Sequence, residues 1–149
     1  MTLAELKLGL NKLLQSSFPV DKYKYYGVDV VEGFQVPCFF TYLKPVVMET
    51  NNHNTYEKQM TLYIDYHQEE IDEADLLEKV ETIRSIFETN VFIAKQSVNV
   101  IGFDFDYIGT DKNIAEITID LQWFDKISHK QNQELMASFF YEQKIRMEE

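Results

Sequence analysis

Cys38, three histidines and two groups of carboxylates are the residues of this chain whose types could do chemistry. A thiolate at Cys38 with His53, His67 or His129 as its base would make a nucleophile pair. Cys38, however, stands between Pro37 and Phe39 in a run patterned like a strand, where cysteine behaves as a small buried hydrophobe. Asp104 and Asp106 fall two apart and share one face of a strand. They could hold a metal or share a proton, but no histidine or glycine-rich loop accompanies them, and a solvated sheet face accounts for them. His67, Glu69, Glu70, Asp72 and Glu73 form an acidic cluster of the kind that decorates the positive end of a helix dipole. Lys22-Tyr-Lys24-Tyr-Tyr26 interleaves base and ring as a single-strand binder would; a half-exposed strand explains it equally well. GxSxG, HExxH, P-loop and GxGxxG motifs are absent, and five glycines leave little from which to build a phosphate cradle. The residues therefore point away from an enzyme: no catalytic group, no cofactor and no metal is expected.

The charge balance narrows the partners. Twenty-five acidic against 14 basic side chains give a formal charge of −11, which opposes phosphate backbones and anionic membrane surfaces alike. No specific nucleic acid and no membrane is expected as a partner. A single cysteine cannot close an internal disulfide, which suits a reducing compartment. Glu5, Lys7, Asn11 and Lys12 break the N-terminal apolar run, so it does not read as a signal peptide. These features predict synthesis and folding in the cytoplasm. At 149 residues with a 45% hydrophobic share, the chain reads as one domain, 1–149, able to bury roughly 70% of its unfolded surface.

The elements that would position these residues follow from periodicity. Thr2-Leu-Ala-Glu5 fits a capping box, and Leu3, Leu6, Leu10 and Leu13 make a helical stripe that Phe18-Pro19 ends. Gly9 inside it costs about 1 kcal/mol relative to alanine, so this helix must lean on tertiary packing. Tyr23 to Val31 reads as a short strand or extended arm. A long hairpin is predicted next, going out from Cys38 to Met48 and turning at Asn51-Asn-His-Asn54. It returns through Met60, Leu62, Ile64 and Tyr66, which alternate with polar residues as one buried strand face requires. Pro45 in the outgoing limb predicts an edge position or a bulge. Asp72 caps a second helix whose stripe is Leu76, Leu77, Val80, Ile83 and Phe87, with Asn90 closing it. Two strands follow, the first with a phase change near Val100 or Ile101 that predicts a bulge, the second with Ala115, Ile117, Ile119, Leu121 and Trp123 alternating. Thr110 to Asn113 is the turn between them. A tail helix opening at Ser128, with Leu135, Met136, Phe139 and Phe140 as its apolar stripe, reads as core or as an interface. The fold class is α+β: a mostly antiparallel sheet with a long hairpin, flanked by helices.

This order resembles the tail terminator family of Gram-positive phages and phage-tail-like bacteriocins. The resemblance runs over nearly the full chain. It rests on the amphipathic helix ending at Phe18-Pro19, the aromatic stretch from Tyr23 to Gly27, the segment Gly33-Phe-Gln-Val-Pro-Cys-Phe-Phe40, the return strand from Tyr56 to Tyr66 and the acid-capped helix from Asp72 to Glu88. Members often carry an arginine in the region of the return strand, and Lys58 stands near that place. The resemblance implies a structural ring subunit, without catalysis, that caps the head-proximal end of a tail tube. It implies copies of itself and the tube protein as partners, with sheath, collar or neck proteins beside them, and a place in the assembled particle. The candidate interface residues are Pro45, Thr50, Asn51, Asn52, His53, Asn54 and Thr55 in the hairpin, and Phe139, Phe140 and Tyr141 in the tail. A neck or head–tail connector protein is the alternative; a small-ligand domain with a concave apolar pocket is a further one.

Overall fold

The computed structural model describes residues 1–110 and 112–128. Helix α1 (Leu3–Ser17) opens with the expected capping box: Thr2 Oγ accepts from the Glu5 N–H, and the Glu5 carboxylate accepts from the Thr2 N–H at 2.7 Å. Leu6, Leu10 and Leu14 are fully buried, with Leu3 and Leu13 packed at the margin. Gly9 has a steric reason. A Cβ there would collide with Ile93 Cγ2 of strand β4 (Asn90–Ile93), so the missing side chain lets the helix lie directly on that strand.

Strand β1 (Lys24–Tyr26) takes up only the first part of the stretch Tyr23 to Val31 read as a short strand or extended arm. The hairpin is β2 (Cys38–Asn52) and β3 (Thr55–His67), with β2 running four residues past Met48. Helix α2 (Glu73–Ile86) follows, capped by Asp72, whose carboxylate accepts from the Ala74 N–H at 3.1 Å. Two expectations for α2 are corrected. Phe87, not Asn90, caps its C-terminus, and Asn90 instead begins β4, a strand the sequence reading missed. Leu77 is half exposed, while Lys79 occupies the buried stripe between Leu76 and Ile83. Strands β5 (Gln96–Ile108) and β6 (Ile114–Lys126) complete the sheet. The turn between them has Gly109 at φ +90° and Lys112 at φ +52°, with the Lys112 N–H donating to Gly109 O; Asp111 lies outside the described residues. So do the predicted tail helix and, with it, His129, Phe139, Phe140 and Tyr141.

The six strands lie in the order β1-β2-β3-β6-β5-β4. All neighbours are antiparallel except β1 and β2, which run parallel over Lys24–Tyr26 and Cys38–Phe40. Both predicted irregularities are present: the register slips between Pro45 and Val47 in β2 and between Val100 and Gly102 in β5. The helices contact each other and pack on one face of the sheet, over Met60, Leu62, Ile64, Ile117, Ile119, Leu121 and Trp123. Strict alternation in β3 and β6 places these apolar residues there, and each one buried contributes about 1.5–3 kcal/mol. Among the described residues the opposite sheet face has no covering layer.

Candidate assembly surfaces

The hairpin is braced rather than free-standing. β3 pairs with β6 along its whole length, from Thr55 opposite Lys126 to His67 opposite Ile114. At the tip, Asn52 Oδ1 accepts from the N–H groups of Asn54 (2.8 Å) and Thr55 (3.1 Å), and Asn51 Nδ2 donates to Thr55 Oγ1. The Ile127 N–H donates to Asn54 O at 2.8 Å and ties the end of β6 to the turn. A tip held this way offers its side chains in one preset geometry, at little ordering cost on binding. Thr50 to Asn54 are exposed and Thr55 is partly covered.

What is free is the outer edge of β2. β1 covers it only at Cys38, Phe39 and Phe40, and among the described residues nothing pairs with it from Thr41 to Asn52. Val46 and Met48 are each 56% exposed along this stretch. Pro45 sits on this edge at the bulge, which removes one donor and interrupts the otherwise regular row of backbone groups. β4 forms the opposite edge of the sheet.

The uncovered sheet face is acidic. The strand register sets Asp65, Glu116 and Asp106 side by side in one row, with Asp104, Asp120, Glu57 and Glu49 in neighbouring rows. Asp104 and Asp106 are exposed there, as a solvated face requires. Asp120 accepts from Thr61 Oγ1 at 2.8 Å, and Glu57 accepts from Gln59 and Gln122. Burial, then the charge and hydrogen bond of Glu116, push the Asp65 carboxyl up to about 6. Tyr42 and Tyr63 stack at 4.5 Å in the middle of the face. At one end Phe34 packs edge-on against Phe40 and His67, both at 5.1 Å. This gives the Gly33–Phe40 segment its meaning. Gly33 turns the chain at φ +78°, Phe34 anchors it on the sheet, and Pro37 O accepts from the Lys24 N–H to join β1 and β2.

The sequence candidates for chemistry are not brought together. Cys38 is fully buried, and burial alone pushes its thiol up to about 11, leaving an inert side chain. His67 turns to Phe34 and Phe40 rather than to the acidic cluster, and burial lowers its pKa. In that cluster Asp72 serves as the helix cap, and its backbone N–H donates to Gln68. Among the described residues no three His, Cys, Asp or Glu side chains are arranged to hold a metal ion. Lys58 forms an ion pair with Asp125 at 2.7 Å. The N-terminal amine and Gln96 reach the same carboxylate, so it clamps the chain start, β3, β5 and β6 together. Lys79, which sequence reasoning missed, is 5% exposed with its Nζ 2.8 Å from Asp75 and within 5.8 Å of the ring centres of Phe18, Tyr23 and Tyr66. Its signal was present: it lies four residues after Asp75 and three after Leu76.

The family model described as "Phage tail terminator protein" matches residues 5–135. The chain belongs to the phage tail terminator family. The family is a structural one, and the role it supports is in completing the phage tail as part of the virion. No curated protein matches the chain in sequence. One solved structure, 11% identical, covers 86% of this chain and 97% of its own at a TM-score of 0.53; at that identity the likeness concerns the fold. No helix among the described residues is long and apolar enough to cross a membrane.

Proposed function

We propose that this terminator forms a closed ring, of six copies, that caps the head-proximal end of a tail tube and ends its polymerisation. The observation that carries the reading, beside the family match, is the long uncovered edge of β2 with Val46 and Met48 exposed on it. A monomer that leaves such an edge bare invites pairing, and a head-to-tail contact from this edge to another part of the next copy closes into a ring when the rotation allows. The growing tube end remains competent to add another ring. A terminator must bind that end better than a tube ring does and then present no equivalent surface above. The braced tip Thr50–Thr55 is suited to one of these two contacts. Turned toward the central opening, the acidic sheet face would keep passing DNA from sticking. The tube, with sheath, collar or neck proteins at the other side, is the neighbour in this scheme.

Deleting the gene tests it. Tubes of irregular length with no finished upper end and normal baseplates are the expected outcome. Tubes of normal length that lack only their head-side attachment would refute termination and favour the neck or connector role. In the intact gene, Val46→Glu with Met48→Lys should yield a folded subunit that no longer forms rings; rings of normal copy number would remove the β2 edge from the scheme.

A further inference from the structure

The sheet has a second bare edge. β4 pairs with β5 only over Gln96–Asn99, and from Ile101 to Ile108 no strand among the described residues pairs with the outer side of β5. The direction alternates through β2, β3, β6 and β5, so β5 runs opposite to β2. A rotation about an axis roughly along the strands sets the β5 edge of one copy beside the β2 edge of the next without reversing either. The two then meet antiparallel, the pairing with the more stable ladder. Their side chains match on both faces. On the acidic face Lys44 is exposed and has no ion-pair partner among the described residues, while Asp104 and Asp106 stand exposed on the β5 edge. The helix-covered face carries Leu43 and Met48 on β2 and Phe103 and Phe105 on β5. Met48 and Phe105 are each 56% exposed there.

We propose that β5 of one copy adds to the free β2 edge of the next, so that the sheet runs on from subunit to subunit. The inference rests on the ring reading and names the strand that fills its bare edge. In the register that sets Lys44 opposite Asp104, Tyr42 faces Asp106, Leu43 faces Phe105 and Thr41 faces Tyr107. Opposite charges and apolar pairs placed directly across a ladder stabilise it. The junction then stops at Phe40, where β1 already pairs with β2, and at Asn99, where β4 already pairs with β5. Each short edge strand borders it at one end and leaves the stretch between open. The bulges at Val46 and Ile101 both fall near its second end. The formal charge of −11 repels copies at a distance, but salt screens that repulsion beyond about 8 Å, and the groups that meet at the junction are of opposite sign. An isologous β2–β2 pair would close at two copies and leave Asp104 and Asp106 unmatched.

Cysteine pairing in particles assembled from the full-length chain tests it. Lys44→Cys would be combined in turn with Asp104→Cys and Asp106→Cys, because a slip of two residues keeps both faces in phase. Within one subunit β3 and β6 separate these positions by roughly 14 Å, beyond the roughly 7 Å that a disulfide spans. Buried Cys38 does not compete. After mild oxidation one pair should give a ladder of linked subunits on non-reducing gels, absent from every single-cysteine variant. Rings seen by cryo-EM without any ladder would overturn the proposal and leave the ring reading standing; particles with no ring at the tube end would overturn both. Linked dimers from Lys44→Cys alone would show β2 pairing with its own copy and overturn it as well. A second readout does not depend on disulfide geometry. Lys44→Glu and Asp104→Lys, each alone, should lower the fraction of subunits in rings at least about tenfold, since like charges then face each other at every junction. The two together should restore it, and failure of the combined variant to recover rings while it stays folded would overturn the pairing.

Discussion

Replacing Lys79 by alanine is expected to destabilise the fold by about 3 kcal/mol, a magnitude assembled from three effects. Burial opposes the charge on Lys79, but the hydrogen bonds and charges of Asp75 and Tyr23 together outweigh it and hold the ammonium protonated, above its ordinary pKa. Asp75 in turn is held below the usual carboxylate range, its burial outweighed by bonds from Lys79, Gln68 and Tyr66. Removing one partner of a buried pair costs about 3–5 kcal/mol. Here the figure is nearer 2 kcal/mol, because the Asp75 side chain is 29% exposed and keeps Tyr66 Oη at 2.7 Å and Gln68 Nε2 at 3.0 Å. The rings of Phe18, Tyr23 and Tyr66 add about 1 kcal/mol, and loss of the buried methylene stem adds a little more. Urea unfolding should show a lower midpoint with an unchanged slope, and Tm should fall by about 6–12 °C. Lys79→Met keeps the stem and should recover only the packing part. Crossing Lys79→Met with Asp75→Asn should return a coupling of at least about 1 kcal/mol. A Lys79→Ala variant within about 0.5 kcal/mol of the native protein would refute the claim that this cation holds α1, α2 and the aromatic end of the sheet together.

Gly9→Ala, stabilising by propensity in an exposed helix, should instead destabilise by about 1–3 kcal/mol, because the new methyl meets Ile93; chemical denaturation decides the sign. Asp65 has its folded pKa raised from 3.8 to about 6, so the native state binds the extra proton and this group's stabilisation, present at low pH, is lost as pH rises through about 4 to 6. Asp65→Asn should therefore be more stable than the native chain at pH 7 by about 1 kcal/mol, a figure reduced for partial exposure, and the advantage should vanish at pH 4; an advantage independent of pH would remove Asp65 as its source. Deleting Asn51–Asn54 removes exposed tip bonds and the one to Ile127, so it should cost at most about 1 kcal/mol while preventing particle assembly; normal particles from that variant would show that the tip makes no contact.

Much of the fold was legible because burial on one face imposes a period. β6 alternates without a fault from Ala115 to Trp123, and every apolar member is buried. The Thr2–Glu5 box and the Asp72 cap mark helix starts through local hydrogen bonds, which a sequence displays directly. β4 was missed because four residues are too few to show a period and Asn90 also suits a helix end. Lys79 was passed over because lysine is read as solvated, and here a carboxylate and three rings repay its burial. The parallel β1–β2 pair was illegible for another reason: its partners lie 14 residues apart across an irregular loop, and no local rule encodes that pairing.

The assembly surfaces were harder to read than the core, and the reason is topological. That β2 is long follows from its sequence, but that its outer side stays bare follows from β1 stopping at Tyr26 and from β6 inserting on the far side of β3. The same insertion braces the hairpin, so its outgoing strand is the border of a stiff sheet. A rigid border suits termination better than a flexible arm would. In the proposed role, a subunit that outcompetes the next tube ring gains from paying little ordering entropy when it binds, and a tip prearranged by Asn52 and Ile127 has most of that ordering done before contact.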